Sequence, residues 1–255
     1  MLGLTGEVTA CLFDLDGVLT NTAELHRVAW KQTFDAFLRD REGPDFKPFT
    51  DDDYFDYVDG RPREDGVRTF LASRGITLPE GTPDDPPTAQ TVAGVGNRKN
   101  ALFRSLLAER GVTAYPGSVR YLTAVRNAGL RIGVVTSSAN GAAVLRAANL
   151  DRFVDARIDG KVIEEQGLRG KPEPDSYLAG AKALGVEPSA AAVFEDALAG
   201  VQAGRAGGFA LVVGIDRADR KSQGSSDEHA SYAQALRQHG ADLVVSDLGE
   251  LVDTP

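Results

Sequence analysis

The sequence predicts an α/β fold, in which a doubly wound, Rossmann-like parallel sheet carries a small all-helical cap domain inserted after the first strand. Short apolar runs of strand length alternate along the chain with segments whose apolar residues recur at helical spacing, and such alternation is typical of a parallel sheet. Residues 21–112, however, contain helical patterns and no strand pattern. We therefore expect a core domain at residues 1–20 and 113–255 and a cap domain at residues 21–112.

The predicted strands are near-continuous apolar runs, as expected for strands that are buried on both faces of a sheet. They are Val8–Phe13, Ile132–Val135, Ala191–Phe194, Ala210–Val213 and Leu243–Val245. The helical patterns of the core domain lie between these runs, at Val119–Val125, Asn140–Ala148 and Tyr177–Leu184. Pro174 and Asp175 are typical of a helix start and precede the last of them.

The predicted cap contains several helical patterns. They lie at Ala23–Leu38, Asp52–Val58, Arg63–Ser73 and Leu102–Leu107. Pro79–Gly94 is rich in proline, aspartate, threonine and glycine, so we expect a loop there. Tyr115–Gly117 marks the return to the sheet, and Lys221–Glu228 is predicted to be a polar surface loop.

Composition excludes several classes of function. Of 255 residues, 42% are hydrophobic, and the longest apolar runs are far shorter than the roughly 18 residues of a membrane span. The net charge of −9 argues against a nucleic-acid partner, which usually needs a basic face. The amino terminus lacks the pattern of a secretory signal, and the single cysteine, Cys11, is expected to be a small buried side chain. We expect a cytoplasmic monomer without a membrane or nucleic-acid partner.

Two carboxylates, Asp14 and Asp16, follow the first predicted strand directly. In an open parallel sheet, ligands bind beyond the carboxyl ends of the strands, so these acids are expected to face a site. One carboxylate can attack phosphorus while a second one transfers protons. An exposed turn made of aspartate and glycine is the structural alternative.

Three further stretches lie at or near predicted strand ends. They are Thr136-Ser137-Ser138, the segment around Lys171, and Glu195-Asp196. They supply hydroxyl groups, one cation and two more acids, which suit a phosphoryl group held beside a hard metal ion. Each has a structural alternative, namely helix capping, a solvated lysine and an acidic helix start, but their joint occurrence favours the site.

These stretches resemble the four motifs of the haloacid dehalogenase superfamily of phosphotransferases. The matching residues are Phe13–Val18, Thr136-Ser137, Lys171-Pro172 and Glu195-Asp196. The resemblance implies that Asp14 is the nucleophile and Asp16 the general acid and base. It also implies Mg²⁺ bound by Asp14, the Asp16 backbone carbonyl and Asp196, with Glu195 at or near the metal. Thr136, Ser137 and Lys171 would hold the transferring phosphoryl group.

The inserted segment resembles the cap of the β-phosphoglucomutase family. The matching stretches are Asn21–His26 with Trp30, Val58–Val67, Phe70–Gly75 and Gly96–Asn100. The resemblance implies that Thr22 and His26 position Asp16, that Arg63 grips the phosphate that is not transferred, and that Lys99 and Asn100 line the sugar site. It also places Trp30, Ser138 and Asn140 among the substrate-binding residues.

Spacing alone puts His26 and Trp30 on one helix face, where a buried His–Trp pair without a catalytic role is the alternative. Arg63 could bind phosphate with its planar fork or could be a solvated surface group.

The resemblance implies that the protein interconverts β-glucose 1-phosphate and glucose 6-phosphate through phospho-Asp14 and β-glucose 1,6-bisphosphate. Two positions differ from the family pattern, since Asn21 stands where aspartate is frequent and Ala139 where a lysine can contact the distal phosphate. Loss of that cation would favour a monophosphate, so a sugar-phosphate phosphatase is the alternative. A catalytically silent protein that senses phosphosugars or binds a partner is a third hypothesis, and the set of catalytic acids argues against it.

Overall fold

The computed structural model describes residues 2–217 and 226–252. The chain divides into two compact units: the residues before Thr22 and from Thr113 onward form the core unit, and Thr22–Val112 forms the helical unit. The core unit contains a parallel sheet and the helical unit contains helices only. The predicted fold class, a doubly wound α/β core with an inserted helical domain, is confirmed.

The described strands form one six-stranded sheet. They are β1 (Ala10–Phe13), β2 (Arg131–Val135), β3 (Ala156–Ile158), β4 (Ala191–Glu195), β5 (Leu211–Ile215) and β6 (Leu243–Val245). Their spatial order is β3-β2-β1-β4-β5-β6, and every neighbouring pair is parallel. The strand order reverses between β1 and β4, and ligands of doubly wound sheets bind outside the carboxyl ends of the strands at such a point.

Helices cover the sheet and build the helical unit. In chain order, the α-helices of the described residues are α1 (Thr22–Glu42), α2 (Asp51–Tyr57), α3 (Arg63–Ser73), α4 (Val92–Arg110), α5 (Pro116–Asn127), α6 (Gly141–Ala147), α7 (Gly160–Glu165), α8 (Asp175–Leu184), α9 (Leu198–Ala206) and α10 (Ser226–Gln238). Within this described part of the chain, none of the helices has the length and hydropathy that a membrane span requires.

The middle of the sheet is packed on both faces, which fixes the strand ends that lead to the site. On one face, Leu12 of β1 belongs to an apolar cluster that includes Tyr177 of α8 and Val201 of α9. On the other face, Phe13 stacks on Phe194 of β4 with ring centroids 4.5 Å apart. Tyr121 of α5 contacts both rings, so the last residues of β1 and β4 are held together by aromatic packing.

The helical unit has an apolar core of its own. Phe34 of α1 lies 5.1 Å from Phe49 and 4.2 Å from Phe70 of α3, measured between ring centroids. Trp30 stacks on Phe34 at 5.0 Å. A capping box at Thr50 and Asp53 fixes the start of α2. The inserted segment therefore buries enough aromatic surface to be a separate packed unit.

The structure differs from the predicted elements in several places, and helices α7 and α9 were not predicted. The short strand β3 was missed because only Ala156–Ile158 pairs with β2 and its middle residue is an exposed arginine, which leaves no apolar run. The predicted loop Pro79–Gly94 ends early, since α4 begins at Val92 with Thr91 as its N-cap. Gly94, taken as a loop residue, is a helical position where a Cβ atom would lie 2.5 Å from the Ala89 carbonyl oxygen.

The predicted surface loop Lys221–Glu228 is a further case. Ser226–Glu228 belongs to α10, and residues 221–225 lie outside the described residues. A run of polar residues cannot distinguish a loop from an exposed helix end.

Replacing Phe70 with alanine should lower the free energy of unfolding of the helical unit by about 3–5 kcal/mol, because a fully buried ring in contact with two other rings would leave a cavity. Urea unfolding followed by the fluorescence of Trp30, the single tryptophan of the chain, measures this change. As a control, Gln32→Ala, at an exposed position of α1, should change the free energy of unfolding by less than about 0.5 kcal/mol. Equal effects of the two substitutions would contradict a cooperative aromatic core.

Candidate active site

The loop after β1 carries the two catalytic candidates in a closed turn. Asp14 is buried, and its backbone N–H donates to the Phe194 carbonyl at 2.9 Å. The Thr20 backbone N–H donates to the Leu15 carbonyl at 3.0 Å, and the Gly17 N–H donates to the Thr20 carbonyl at 2.8 Å. These bonds fold the loop back on itself, so the positions of its acids are set by backbone contacts.

Gly17 lets this loop approach the acid that follows β4. Its φ of +96° lies in the region that favours glycine, and a Cβ atom there would be 2.1 Å from Oδ2 of Asp196. The backbone of the first loop is therefore in contact with the Asp196 carboxylate. Any larger residue at position 17 would push these two parts of the site apart.

Lys171 is fully buried and joins two of the acids. Its Nζ donates to Asp14 Oδ1 at 2.7 Å, to Glu195 Oε1 at 2.5 Å and to the Val135 carbonyl at 3.2 Å. Burial alone would lower the pKa of Lys171, but the Asp14 and Glu195 carboxylates raise that pKa above its ordinary value. Lys171 therefore stays charged within the site.

The pKa of Asp14 is raised well above its ordinary value by its surroundings in the protein. Burial is the largest cause, Lys171 opposes it, and the nearby carboxylates of Glu195, Asp196 and Asp16 raise the pKa further. Four carboxyl groups thus lie at one edge of the sheet, and Lys171 pairs with two of them. An added divalent cation would relieve this concentration of negative charge.

The donor set fits Mg²⁺ completed by water and substrate. Among residues 2–217 and 226–252, no three His, Cys, Asp or Glu side chains form a group that could hold a metal ion. Mg²⁺, however, usually keeps several waters and needs only one or two carboxylates together with phosphate oxygens. The carboxylates of Asp14 and Asp196 and the Asp16 carbonyl oxygen would hold it, and all are the oxygen ligands that this ion prefers.

The hydroxyl-rich loop after β2 contacts Asp16. Thr136 is buried, donates from Oγ1 to Asp16 Oδ2 at 2.9 Å and accepts a hydrogen bond from the Ser138 backbone N–H at 3.0 Å. Ser138 Oγ in turn accepts from the Asn140 N–H at 3.2 Å. The structure therefore places Thr136, Ser137, Ser138 and Asn140 on one loop that is folded around its own side chains.

Tyr177 is a site residue that the sequence reasoning missed. Its hydroxyl donates to Glu195 Oε1 at 3.1 Å, and its ring centroid lies 4.9 Å from Lys171 Nζ. Glu195 also accepts from the Ala197 N–H at 2.9 Å, and Gly200 makes room for it, since a Cβ there would lie 1.8 Å from Oε1. Burial, followed by the Glu195 carboxylate, raises the pKa of Tyr177 well above its ordinary value. In the sequence, Tyr177 showed only a helical apolar pattern, so no signal marked its hydroxyl.

The helical unit brings three of the predicted residues together. Lys99 on α4 is buried, and its Nζ lies 2.6 Å from His26 Nδ1 on α1. The same Nζ lies 4.8 Å from the Trp30 ring centroid and 5.3 Å from that of Phe103, on which His26 stacks at 4.0 Å. His26 is thus in contact with a cation and an aromatic ring, an arrangement that spacing alone did not indicate.

The remaining predicted residues lie elsewhere in this unit. Thr22 is buried at the first position of α1, and Asn100 follows Lys99 on α4. Arg63 begins α3, is half-buried and pairs with Glu64 at 2.7 Å. It also packs along α4, because a Cβ at Gly96 would lie 3.2 Å from its Nε.

Asn21, one of the two departures from the family pattern, pairs the segments that connect the units. Its side-chain Oδ1 accepts from the Thr113 backbone N–H at 3.0 Å, and its own N–H donates to the Thr113 carbonyl at 3.0 Å. Asparagine at this position therefore completes a two-bond contact between the outgoing and returning chain.

Comparisons with known proteins show the family to which the chain belongs. The sequence pattern of the haloacid dehalogenase-like hydrolase family matches residues 8–208. Proteins named β-phosphoglucomutase from Mycobacterium bovis and Mycobacterium tuberculosis are 56% identical over 256 residues, which cover 99% of this chain and 94% of theirs. The β-phosphoglucomutase of Bacillus subtilis is 32% identical, over 95% of this chain and 91% of its own.

A solved structure shows the same fold. The crystal structure of CbbY from Rhodobacter sphaeroides in complex with phosphate superposes with a TM-score of 0.68 at 26% sequence identity and covers 96% of both chains. The chain belongs to the haloacid dehalogenase-like hydrolase family and, by its identity over nearly its whole length, to the β-phosphoglucomutase branch of it. It is an enzyme of the phosphotransferase type, as its motifs predicted, and a bound magnesium ion is typical of this family.

Replacing Tyr177 with phenylalanine should slow phosphoryl transfer roughly tenfold, because Glu195 loses one of its hydrogen bonds and holds Lys171 less firmly. The matched control is Tyr121→Phe, which removes the hydroxyl of another buried tyrosine. That hydroxyl donates to the Leu2 carbonyl at 2.8 Å and has no bond to the catalytic acids. Steady-state kinetics should show a fall in kcat for the first variant and none for the second. Equal kcat values would show that the Tyr177 hydroxyl has no role in the reaction.

Proposed function

We propose that this protein catalyses the Mg²⁺-dependent interconversion of β-glucose 1-phosphate and glucose 6-phosphate. The proposal depends above all on one observation: a buried, charged Lys171 holds Asp14 Oδ1 at the carboxyl end of β1, beside Glu195 and Asp196. The identity of the sugar phosphate is proposed from relatives named β-phosphoglucomutase, which are 56% identical over nearly the whole chain. We expect the reaction to take place in the cytoplasm.

In the first half-reaction, a carboxylate oxygen of Asp14 forms a bond to the C1 phosphorus of β-glucose 1,6-bisphosphate. The bond between that phosphorus and the sugar oxygen breaks, and glucose 6-phosphate leaves. Lys171 fixes Oδ1 of Asp14, so Oδ2 is the oxygen assigned to the attack. Asp16 gives its proton to the leaving sugar oxygen. In the second half-reaction, Asp16 takes a proton from the 6-hydroxyl of β-glucose 1-phosphate, and the hydroxyl oxygen attacks the phosphorus of phospho-Asp14. The bond from that phosphorus to Asp14 breaks, so β-glucose 1,6-bisphosphate and free Asp14 are formed again.

The residues around Asp14 stabilise the charge that is shared over the phosphoryl oxygens. Lys171 supplies a fixed positive charge, and the hydroxyl groups of Thr136 and Ser137 are the assigned donors. Thr136 donates its single hydroxyl hydrogen to Asp16 Oδ2 at 2.9 Å, so it can donate to the phosphoryl group only after that bond to Asp16 breaks. Mg²⁺ held by the Asp14 and Asp196 carboxylates and the Asp16 carbonyl oxygen would supply further charge neutralisation for the transfer.

A mutase must bind a sugar that carries two phosphates, here β-glucose 1,6-bisphosphate, in either of two orientations. We assign Arg63 to the phosphate that is not being transferred, because its guanidinium can bind phosphate with two hydrogen bonds. Ser138 and Asn140 are further candidates for that phosphate. Trp30, Lys99 and Asn100 are assigned to the sugar, and Thr22 and His26 to the positioning of Asp16.

The phosphatase alternative depends on Ala139, which removes a cation that could contact the second phosphate. The names of the relatives favour the mutase. A catalytically silent protein is disfavoured because Asp14, Asp16, Lys171 and Asp196 are all present and buried or partly buried at one edge of the sheet.

Isomerisation should depend on Arg63 more strongly than hydrolysis does. Arg63→Ala removes a charge-assisted contact of roughly 1.5–3 kcal/mol, so conversion of β-glucose 1-phosphate to glucose 6-phosphate should fall by about tenfold to a hundredfold. Hydrolysis of phospho-Asp14 by water does not require a bound second phosphate, so the release of inorganic phosphate should change much less. Arg68→Ala, an exposed arginine on the same helix that pairs with Asp65, is the matched control and should leave both rates unchanged.

Both products are measured together after addition of β-glucose 1-phosphate, Mg²⁺ and catalytic β-glucose 1,6-bisphosphate. If inorganic phosphate dominates in the wild type, the protein is a phosphatase and the proposal is wrong. If glucose 6-phosphate dominates and Arg63→Ala matches the control, the mutase stands and the role assigned to Arg63 is wrong.

A further inference from the structure

Arg217, which is distant in sequence from the catalytic acids, contacts the loop that carries Asp14 and Asp16. It lies just after β5 and is only 5% exposed. Its Nε donates to the Gly17 carbonyl at 3.0 Å, and its Nη2 donates to the Val18 carbonyl at 2.6 Å. None of the motifs or resemblances in the sequence singled out this arginine.

The guanidinium group is itself held in place from several sides. Nη2 also donates to Ser118 Oγ at 3.0 Å, and Nη1 forms an ion pair with Asp247. The Tyr115 ring centroid lies 3.8 Å from the guanidinium carbon, so the planar group is stacked as well as bonded. Ser118 Oγ donates in addition to the Val18 carbonyl at 2.7 Å, which gives that oxygen two donors.

The two carbonyls that Arg217 binds belong to the residues directly after Asp16. Gly17 has a φ of +96°, a backbone conformation that other residues rarely adopt, and the peptide that follows it carries the carbonyl that Arg217 binds. A buried carbonyl without a donor is costly, and a guanidinium can satisfy two carbonyls with one rigid, planar group. A lysine in the same place could not reproduce both bonds at fixed angles.

We propose that Arg217 is a positioning residue, which holds the loop of Asp14 and Asp16 in its catalytic conformation by binding the Gly17 and Val18 carbonyls. It touches no reacting atom. Its effect on turnover rests on the proposed function, whereas its hold on the loop does not. Without the two guanidinium hydrogen bonds to the Gly17 and Val18 carbonyls, the loop could move. A displacement of about 1 Å at the catalytic acids is enough to slow a reaction by about a hundredfold.

The test compares Arg217→Lys with Asp247→Asn. Arg217→Lys keeps the positive charge and loses the planar guanidinium that binds two carbonyls at once. Asp247→Asn removes the ion pair with Arg217 and keeps both bonds from Arg217 to the loop. Thermal melts establish how far each variant is destabilised. Amide hydrogen exchange is then measured by NMR at Leu19 and Thr20, whose N–H groups donate to the Leu15 carbonyl within the loop.

Exchange at these two amides should be about tenfold faster in Arg217→Lys and close to the wild-type rate in Asp247→Asn. In the same preparations, kcat should fall roughly tenfold to a hundredfold for the lysine variant, with KM within about threefold, and stay near the wild-type value for the asparagine variant.

Unchanged exchange in Arg217→Lys, or equal losses of kcat in both variants, would overturn the proposal, because either result assigns Arg217 a general structural role. If the wild type showed no phosphoryl transfer, the proposed function would fail, and the exchange rates would still decide whether Arg217 holds the loop.

Discussion

The site depends on one buried charge, the Lys171 ammonium group between the carboxylates of Asp14 and Glu195. An ammonium ion removed from water is stable only when it is paired and its hydrogens are bonded. Here the three bonds to Asp14, Glu195 and the Val135 carbonyl meet that requirement. Removal of any partner would leave one hydrogen of the buried ammonium group without an acceptor, so the segments that carry these residues have to keep their relative positions.

Several other features of the core unit serve this cluster. Gly200 leaves space for the Glu195 carboxylate, and the Tyr177 hydroxyl and the Ala197 N–H complete its hydrogen bonds. The parallel order of the sheet places β1 beside β4, and the register that pairs Phe13 with Phe194 brings Asp14 level with Glu195. The sheet topology and the pairing of the buried charge therefore involve the same residues. The pairing of β1 with β4 brings Asp14 and Glu195 close together, and Lys171 forms a hydrogen bond with each of them.

Much of this arrangement follows from the sequence because its signals are local. Asp14 and Asp16 come directly after an apolar strand, and the same holds for Thr136 and for Glu195-Asp196, so topology alone predicts that they meet. Tyr177 and Arg217 could not be found in this way. Their roles depend on single long-range contacts, to Glu195 and to the Gly17 carbonyl, that leave no local pattern.

The helical unit shows the limits of sequence patterns in another way. Glycine at position 94 was taken as evidence for a loop, but it permits close packing between α4 and Ala89. Spacing predicted that His26 and Trp30 share a face, whereas the contact of His26 with Lys99 joins two helices and needed the structure. Side chains within one helix are therefore more predictable than their partners on the next.

The central claim is that Asp14 becomes phosphorylated, and the most direct measurement is to identify the residue that carries the phosphoryl group during turnover. The protein is mixed with β-glucose 1,6-bisphosphate and Mg²⁺, quenched in acid within milliseconds, digested and analysed by mass spectrometry. The account predicts one phosphoryl group on the peptide that contains Asp14 and none in Asp14→Asn. Turnover without a covalent phosphoryl group, or with the group on another residue, would contradict it.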